Sequence, residues 1–505
     1  MTRNMSETVD RRRIQTLTDI AIGLTAEQDL DKLLTRTLRY ARELSHADAG
    51  TLYLMQDGAL HFRIVQNDTF GTMAGGQGEQ LDLPPVGLDR SNVSACAALE
   101  GRTIRIDDVY QCEDYDFSGP RRYDASTGYR SKSMLVVPMR NKQRDVIGVL
   151  QLINALDAEN GEVVAFDEDV TVLVESLASL AAVAIANAAL IEQTRDLFES
   201  LIKVLAVAID AKSPHTGNHV QRVAELNLFL ARKINERTDG PFADVNFSNE
   251  DLESIRLAGW LHDVGKITTP VHIMDKATKL MGLRDGLELI AARFALMELL
   301  MERSEKSVSD QSLTLDQLHE DFHFLIECNK PEVIIDDAKR ARLEKIADRT
   351  VRYCGKERPL LEERELKALE IARGTLTEEE ISIMREHVDS TEKMLTQVPF
   401  RQGLSKVPLY ASQHHERLNG KGYPKGLQAR DIPLPSRILM IADCYEALAA
   451  KDRPYKRELP EEKVLGILSG MADKGEIDKD ILKLLTEEKL HREFEKQYAA
   501  KHPEQ

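Results

Sequence analysis

The sequence has few cysteines, and their placement excludes two kinds of small-domain architecture. None of the five stands at the two-residue spacing of a CxxC pair; they are Cys96, Cys112, Cys328, Cys354 and Cys444. Scattered thiols of this kind are typical of a reducing compartment. They exclude a disulfide framework and a thiolate zinc ribbon.

A leader and a long apolar run are also missing from the sequence. The first fifteen residues, MTRNMSETVDRRRIQ, contain no apolar core, so we expect no signal peptide. The longest uncharged apolar stretch, Ser176 to Ile191, is shorter than the roughly 20 residues that cross a bilayer. It predicts a buried or dimer-forming helix. We therefore expect a cytoplasmic protein without a membrane span.

Positive charge is in deficit, with 67 Lys and Arg against 84 Asp and Glu and a net charge of −17. This balance argues against nucleic acid or an anionic membrane as the main partner. It does not exclude an anionic substrate, because metal ions and a few local cations set the field inside a site. At 505 residues the chain is too long for one core, so two or three domains are expected.

The first part of the chain alternates helical and strand periods. A helical pattern over 30–44 precedes two alternating segments, 50–55 and 60–67. Further along, 133–140 and 146–154 are joined by the polar turn NKQRD, which predicts a hairpin. Helix, antiparallel strands and a closing helix indicate an α+β sensor module over 15–189.

This module resembles a GAF domain in its element order, in GRTIRIDDVY (101–110) and in VPMRN followed by VIGVLQLIN. The resemblance implies a small-molecule ligand of unknown identity. Asn154 and the run Phe166–Glu168 could match a signature of cyclic-nucleotide-binding GAF domains, but Ala155 replaces its lysine. Alternatively, the acidic residues after Phe166 simply begin a helix, whose dipole favours them.

A linker over 190–209 follows, with apolar residues at alternating steps of three and four. They are Leu190, Leu197, Leu201, Val204 and Ala208, with Thr194 filling one step. This short heptad pattern suits a parallel dimer helix and hence a homodimer. An ordinary amphipathic helix packed on its own domain is the open alternative.

The stretch HHERLNGKGYP (414–424) carries the strongest chemical signal. Adjacent histidines beside a glutamate, followed by a Gly-rich turn with Tyr and Pro, predict metal ligands and then a loop that holds substrate. Further candidate ligands recur in apolar contexts along the second half of the chain. The full candidate set is His215, His219, His262, Asp263, His387, His414, His415 and Asp443.

Local patterns support these candidates. In IRLAGWLHDVGK the helical spacing predicts that His262 and Lys266 share a face, with Asp263 about 100° round the helix where it can bridge two ions. A capping box of Thr377 and Glu380 begins the helix of His387. A lone histidine is usually structural, but the whole set indicates mixed nitrogen and oxygen ligation, which fits Fe, Mn or Zn.

From about residue 206 to 456 the chain resembles the HD-GYP domain of the HD phosphohydrolase superfamily. The matching stretches are HTGNHVQRVAEL, WLHDVGKI, REHVDSTEKML, HHERLNGKGYPKGL and IPLPSRILMIADCYEALAAKDRPYK. The resemblance implies an all-α bundle holding two or three divalent metal ions, most often Fe. It also implies hydrolysis of cyclic di-GMP to pGpG, to GMP, or to both.

Carried over by position, the resemblance assigns each candidate a role. The implied metal ligands are His219, His262, Asp263, His387, His414, His415 and Asp443, with Asp263 bridging. Asp263 and Lys266 are the implied catalytic residues, and Lys266 also contacts a substrate phosphate. Tyr423, Arg453 and Lys456 would hold the dinucleotide. Hydroxide from a water between the ions would attack phosphorus.

Three departures from the family pattern stand out. Asn419 replaces an Asp in the signature, and we expect it to shape the turn. His215 stands where a third-ion ligand is sometimes found, and it either ligates or faces solvent. A charged, helical insertion over 283–372 separates two parts of the site.

The predicted organisation is a tail (1–14), the GAF domain (15–189), the linker (190–209), the HD-GYP domain (210–460) and a charged, helical, partly solvated tail (461–505). Two rival functions remain open. One keeps the metal site but acts on another cyclic dinucleotide or nucleotide. The other is a catalytically idle signalling scaffold.

Overall fold

A computed structural model describes residues 15–502 apart from 16–17, 28, 77, 79, 213–217, 283–285, 304–312, 354 and 450–458. The chain divides into two compact units, Met1–Phe198 and Glu199–Gln505. The first is an α+β unit and the second is mostly helical, so the expected multidomain fold class is confirmed.

The first unit is built on one antiparallel sheet with the order β3-β2-β1-β7-β6-β5; β4 pairs with β2 and β8 with β7. Its strands are β1 (Ala47–Gln56), β2 (Ala59–Asn67), β3 (Thr72–Gly75), β4 (Val86–Gly87), β5 (Ile104–Ile106), β6 (Met134–Arg140), β7 (Val146–Leu156) and β8 (Val163–Val164). Its helices are α1 (18–26), α2 (Leu30–Ser45), α3 (Val93–Glu100), α4 (Ser118–Thr127) and the start of α5 (Glu168–Lys212).

Both faces of this sheet are covered. Leu34 of α2 and Leu177 of α5 share one buried cluster with Leu150 of the sheet. A second cluster joins Ala97 of α3 to Val136 of β6. The alternation in β1 and β7 thus buries side chains on both sides of the sheet.

The candidate nucleotide-binding signature has structural roles here. The Asn154 side chain accepts a hydrogen bond from the Lys132 amide at 2.7 Å and donates one to the Arg130 carbonyl at 2.9 Å. Phe166 is buried in the cluster of α2 and α5, and the Asp167 carboxylate accepts from the Val170 amide at 2.8 Å. These contacts support the helix-start interpretation of 166–168.

The closing helix of the first unit and the predicted linker form one continuous helix, α5. Along it runs a heptad series that extends upstream of the linker, and we call it the seam. Its members are Leu173, Ser176, Leu180, Val183, Asn187, Leu190, Thr194, Leu197, Leu201, Val204 and Ala208. Every member is exposed or half-buried, with Leu197 61% and Val204 64% exposed.

One helix, Glu168–Ile209, is long and apolar enough to cross a membrane by length and composition, although 44% of its most apolar window is buried inside the protein. That is weak support for a span. The expected absence of a span and the cytoplasmic location both stay predictions.

The second unit begins with the end of α5 and continues through α6 (His219–Asn235), α7 (Asn249–Leu261), α8 (Val271–Met274), α9 (Gly286–Glu302), α10 (Leu315–Cys328), α11 (Asp337–Ala347), α12 (Glu363–Leu369), α13 (Glu378–Leu395), α14 (Val407–Ala411), α15 (Leu434–Ala449), α16 (Glu461–Asp473), α17 (Lys479–Glu487) and α18 (Leu490–Lys501). Short 3-10 turns occur at Gly240–Phe242, Val264–Thr268, Gln402–Leu404 and Ala429–Asp431.

The predicted insertion is not entirely helical. Beside α9 to α12 it contains an antiparallel hairpin, β9 (Thr350–Tyr353) and β10 (Lys356–Pro359). Residues of this region, including Ile290, Leu325 and Leu369, form a hydrophobic cluster of their own. The dense charge pattern of the segment hid this strand pair.

The C-terminal segment is helical as expected, but it is not a solvated tail. Leu468, Ile481, Leu485 and Phe494 are buried. Glu495 of α18 accepts from the Arg222 guanidinium of α6 at 2.6 Å. The apolar faces of α16 to α18 therefore belong to the fold of the second unit.

Candidate metal centre

The HD pair lies where α7 ends. The helix stops at Leu261, His262 is its C-cap, and a 3-10 turn over Val264–Thr268 follows. The expectation that His262 and Lys266 share one α-helical face was therefore wrong. Instead the turn brings the Lys266 ammonium into direct contact with the Asp263 carboxylate.

Gly265 allows this turn to pack against α13. A Cβ at Gly265 would lie 1.9 Å from the His387 carbonyl oxygen, so no larger residue fits without a backbone shift. The Thr391 hydroxyl accepts from the Gly265 amide at 2.9 Å and donates to the His262 carbonyl at 3.1 Å. Gly265 and Thr391 thus hold the HD turn beside His387.

The remaining predicted ligands come from three other helices and a loop. His387 is in the middle of α13, whose capping box of Thr377 and Glu380 is present as predicted. His414 and His415 follow α14, and their rings lie 4.1 Å apart between centroids. Asp443 is buried in α15, and its carboxylate lies 3.4 Å from Nε2 of His219 on α6.

Asp263 lies between two groups of imidazoles. His387, His414 and His415 form one group and His219, His262 and Asp263 another, each with ligand atoms within 4.8 Å of one another. One oxygen, Oδ1, is 3.5 Å from Nε2 of His387 and 3.7 Å from Nε2 of His414. The other oxygen is 3.3 Å from Nε2 of His262. This placement suits a carboxylate that bridges two ions.

The imidazole orientations fit metal ligation. Nδ1 of His262, His387 and His414 lies 2.7, 2.5 and 2.7 Å from a backbone carbonyl oxygen of its own helix or turn. Each Nε2 is buried without a hydrogen bond, as is Oδ1 of Asp263. A carbonyl on one ring nitrogen and a free lone pair on the other is the usual arrangement of a ligating histidine. Orphaned buried atoms aimed at one another need a cation.

Electrostatics give these groups their ligating forms. Burial opposes ionisation of Asp263, but Lys266 and His262 overcome it and hold its pKa well below the usual range. Burial lowers the pKa of His387 and His414, and it brings that of His415 to about 3. Burial also works against protonation of His262, yet Asp263 and Asp443 raise its pKa. Metal binding requires such charged carboxylates and neutral imidazoles.

The loop after His415 carries Tyr423. Its ring lies 4.8 Å from the His415 ring, and the Arg385 guanidinium lies 5.1 Å from its centroid. Glu416, fully buried, accepts from the backbone amides of Lys425 and Leu427 at 2.8 Å each. Sequence reasoning gave Glu416 no role, although its position beside His415 was the available signal.

Asn419 shapes its turn, since its side-chain oxygen accepts from the Lys421 amide at 3.1 Å. Its Nδ2 donates to the Lys474 carbonyl at 3.1 Å, which ties the loop to the end of α16. The predicted residues His215, Arg453 and Lys456 lie outside the described residues.

Sequence reasoning also missed a buried ion pair behind the site. Arg222 stands one turn after His219 on α6, and Glu446 one turn after Asp443 on α15. The Arg222 Nε donates to the Glu446 carboxylate at 2.8 Å. The pair ties together the two helices that carry His219 and Asp443.

Comparison with known families matches both units. A GAF domain model matches residues 29–185, and HD domain models match 216–352 and 364–481. The first HD match runs through most of the segment predicted as an insertion, so that assignment stays a prediction. All seven predicted metal ligands fall inside the two HD matches.

Curated relatives share the chemistry of their names. The chain is 39% identical over 113 residues to a 3′3′-cGAMP-specific phosphodiesterase of Vibrio cholerae, covering 22% of this chain and 25% of that protein. It is 36% identical over 116 residues to a cyclic di-GMP phosphodiesterase of Thermotoga maritima, covering 22% and 30%. The chain thus spans about a quarter to a third of the curated relatives it matches.

Among solved structures, a GAF domain/HD domain protein from Geobacter sulfurreducens covers 34% of this chain and 98% of its own length, at 18% identity and a TM-score of 0.24. The family models and the curated relatives carry the assignment. The chain therefore joins a GAF domain to an HD-GYP domain and is similar to cyclic dinucleotide phosphodiesterases.

Proposed function

We propose that the protein is a metal-dependent phosphodiesterase that hydrolyses a cyclic dinucleotide, with cyclic di-GMP as the expected substrate. The observation that carries this proposal is the set of buried, unpartnered ligand atoms on His262, Asp263, His387 and His414. An idle scaffold has no need for such a set, because each orphaned polar atom destabilises the fold unless a cation satisfies it.

The seven predicted ligands would hold two divalent ions, and His215 would add a third if it ligates. Fe is the expected metal, and Mn and Zn accept the same nitrogen and oxygen donors. When bound, the ions would supply Lewis acidity at phosphorus and an activated water.

The chain's own residues would bind and orient the substrate. Lys266 pairs with Asp263 here. Once Asp263 shares its charge with ions, that ammonium becomes available to a phosphoryl oxygen, where it would stabilise developing negative charge. Tyr423, backed by Arg385, would present an aromatic face to a base, and Arg453 and Lys456 would contact phosphates.

The choice between cyclic dinucleotides is a separate question. The names of the relatives include both cyclic di-GMP and 3′3′-cGAMP, and these differ in one base. Metal ligation reads the phosphodiester rather than the base, so both substrates fit the centre. Cyclic di-GMP is retained as the expected substrate and 3′3′-cGAMP as the alternative.

Regulation and assembly complete the proposal. A small molecule bound to the GAF domain would set the activity through α5. The seam of α5, with apolar side chains facing solvent, would pair with the seam of a second copy to form a parallel homodimer.

The test is hydrolysis by full-length protein purified without oxygen, with metals quantified on the same sample. Cyclic di-GMP and 3′3′-cGAMP are supplied separately, and pGpG, GMP and the mixed products are resolved. Turnover of cyclic di-GMP with two or three ions per chain supports the proposal. Turnover of 3′3′-cGAMP alone selects the alternative substrate. A protein that binds no metal and turns over neither substrate is the scaffold.

A further inference from the structure

Helix α5 is attached to the element that carries the HD pair at two places. The first is an ion pair between Glu199 and Arg256, with Nη2 to Oε1 at 2.7 Å and Nη1 to Oε2 at 3.4 Å. Arg256 belongs to α7, which ends immediately before His262. The pair is only partly exposed, at 26% for the Glu199 side chain and 22% for that of Arg256.

Between the two attachments, one face of α5 is buried. Ile202, Ala206 and Ile209 are 4%, 2% and 7% exposed, at steps of four and three residues. The neighbouring Val204 and Val207 are each 64% exposed. This end of α5 is therefore packed into the second unit along one side, while its other side carries the seam.

The second attachment is Lys212, the last residue of α5. Its ammonium donates to three backbone carbonyls, of Lys266 at 3.1 Å, Ile267 at 2.6 Å and Thr269 at 2.6 Å. An ammonium has three N–H donors, so these contacts can use all of them. The acceptors lie at the C-terminal end of the 3-10 turn, where unsatisfied carbonyls concentrate negative partial charge.

We propose that Lys212 is a positioning residue that clamps the turn carrying Asp263 and Lys266 and passes displacements of α5 to it. Glu199 and Lys212 are separated by about 20 Å of continuous helix, which transmits rotation and translation as a rigid rod. Because Lys212 grips the backbone of Lys266 itself, a shift of the helix end moves the ammonium that pairs with Asp263. The catalytic consequence rests on the proposed phosphodiesterase function; the clamp does not.

The first test measures the clamp directly in full-length, metal-loaded protein. Lys212→Met removes the charge and all three donors but keeps an apolar side chain of similar length. Lys203→Met, at an exposed lysine of the same helix, is the matched control. Hydrogen exchange of the backbone amides over 264–269 is expected to rise at least tenfold in Lys212→Met and to stay unchanged in Lys203→Met. Equal exchange in the two variants would overturn the clamp.

The second test measures transmission. Two residues inserted after Gln193 rotate the downstream helix by about 200° relative to the upstream part, at about 100° per residue. In an otherwise unaltered chain the insertion is expected to change kcat several-fold with KM little affected. In Lys212→Met the same insertion is expected to have no further effect, because the coupled residue is already gone.

Additive effects of the insertion and Lys212→Met would overturn transmission, since independent sites add. If the protein hydrolyses neither cyclic dinucleotide, the proposed function fails while hydrogen exchange still decides the clamp. If exchange is unchanged and turnover is normal, the clamp fails and the phosphodiesterase stands.

Discussion

At the scale of single residues, the centre holds its ligands in the forms that bind cations. Nδ1 of three histidines lies against a backbone carbonyl, which fixes the ring and points Nε2 inward. Burial then keeps His387, His414 and His415 neutral by lowering each pKa. The site is therefore preorganised, and this organisation costs stability when no metal is present.

That cost predicts a pH dependence for the metal-free protein. His415 has a folded-state pKa of about 3, against about 6.5 in the unfolded chain. Between these values the unfolded state binds more protons, so His415 lowers the free energy of unfolding as the pH falls below about 6.5. The loss approaches about 1.4 kcal/mol per pH unit for one such histidine.

The measurement is urea unfolding of chelator-treated protein at pH 7 and pH 5. Because the raised pKa of His262 acts in the opposite direction, the comparison uses variants. His415→Gln should lose less stability between the two pH values than the unaltered chain does. His319→Gln, at an exposed imidazole, should match the unaltered chain. An equal pH response in all three proteins would contradict the assignment.

At the scale of elements, local signals were readable from the sequence and long-range contacts were not. The capping box of Thr377 and Glu380 is written into four consecutive residues, so the start of α13 could be predicted. The end of α7 could not, because the apolar spacing continues to Val264 while the chain already turns. Only the packing of Gly265 against His387 on α13, 122 residues later, determines that turn.

This contact predicts that Gly265→Ala disrupts the centre. The added methyl group would lie 1.9 Å from the His387 carbonyl oxygen, so α13 and the HD turn must separate. Overpacking of this kind costs about 1–3 kcal/mol of folding free energy. We also expect loss of bound metal, measured together with thermal unfolding.

Gly466→Ala is the matched control, since a Cβ at Gly466 in α16 meets no atom within 4 Å. Alanine in a helix interior is favoured over glycine by about 0.5–1 kcal/mol, so this variant should be as stable as the unaltered chain or slightly more stable. Full metal content in Gly265→Ala would show that the close packing is not required.

At the scale of the whole molecule, α5 is the element that carries sensing, assembly and catalysis together. Five apolar positions and Thr194 indicated a heptad pattern in the linker, and the structure extends it upstream to Leu173. The extension was not recognised from sequence because the Ala-rich stretch before Leu190 also supplies core residues, such as Ala181 and Ile185. Only burial separates the two faces. Asn187 falls at an a-type position of the seam, where asparagine favours a defined register.

The seam predicts a dimer that seam substitutions weaken. Burying one leucine contributes about 1.5–3 kcal/mol, and each substitution occurs twice in a dimer. Leu201→Glu should therefore raise the dimer dissociation constant roughly a hundredfold or more. Sedimentation analysis of the full-length chain measures it, with Leu289→Glu, an exposed position on α9, as the control. A monomer at all concentrations, or equal dissociation in both variants, would contradict the seam as the interface.

The central claim is that Asp263 bridges ions in a centre that hydrolyses a phosphodiester. The most direct measurement counts metal ions and cyclic di-GMP turnover on the same anaerobic preparations of the unaltered chain, Asp263→Asn and Glu386→Gln. Glu386 is exposed beside His387 and serves as the charge-matched control. The account predicts two or three ions and turnover in the unaltered chain and in Glu386→Gln, with loss of at least one ion and of turnover in Asp263→Asn. Full metal content and undiminished turnover in Asp263→Asn would contradict it.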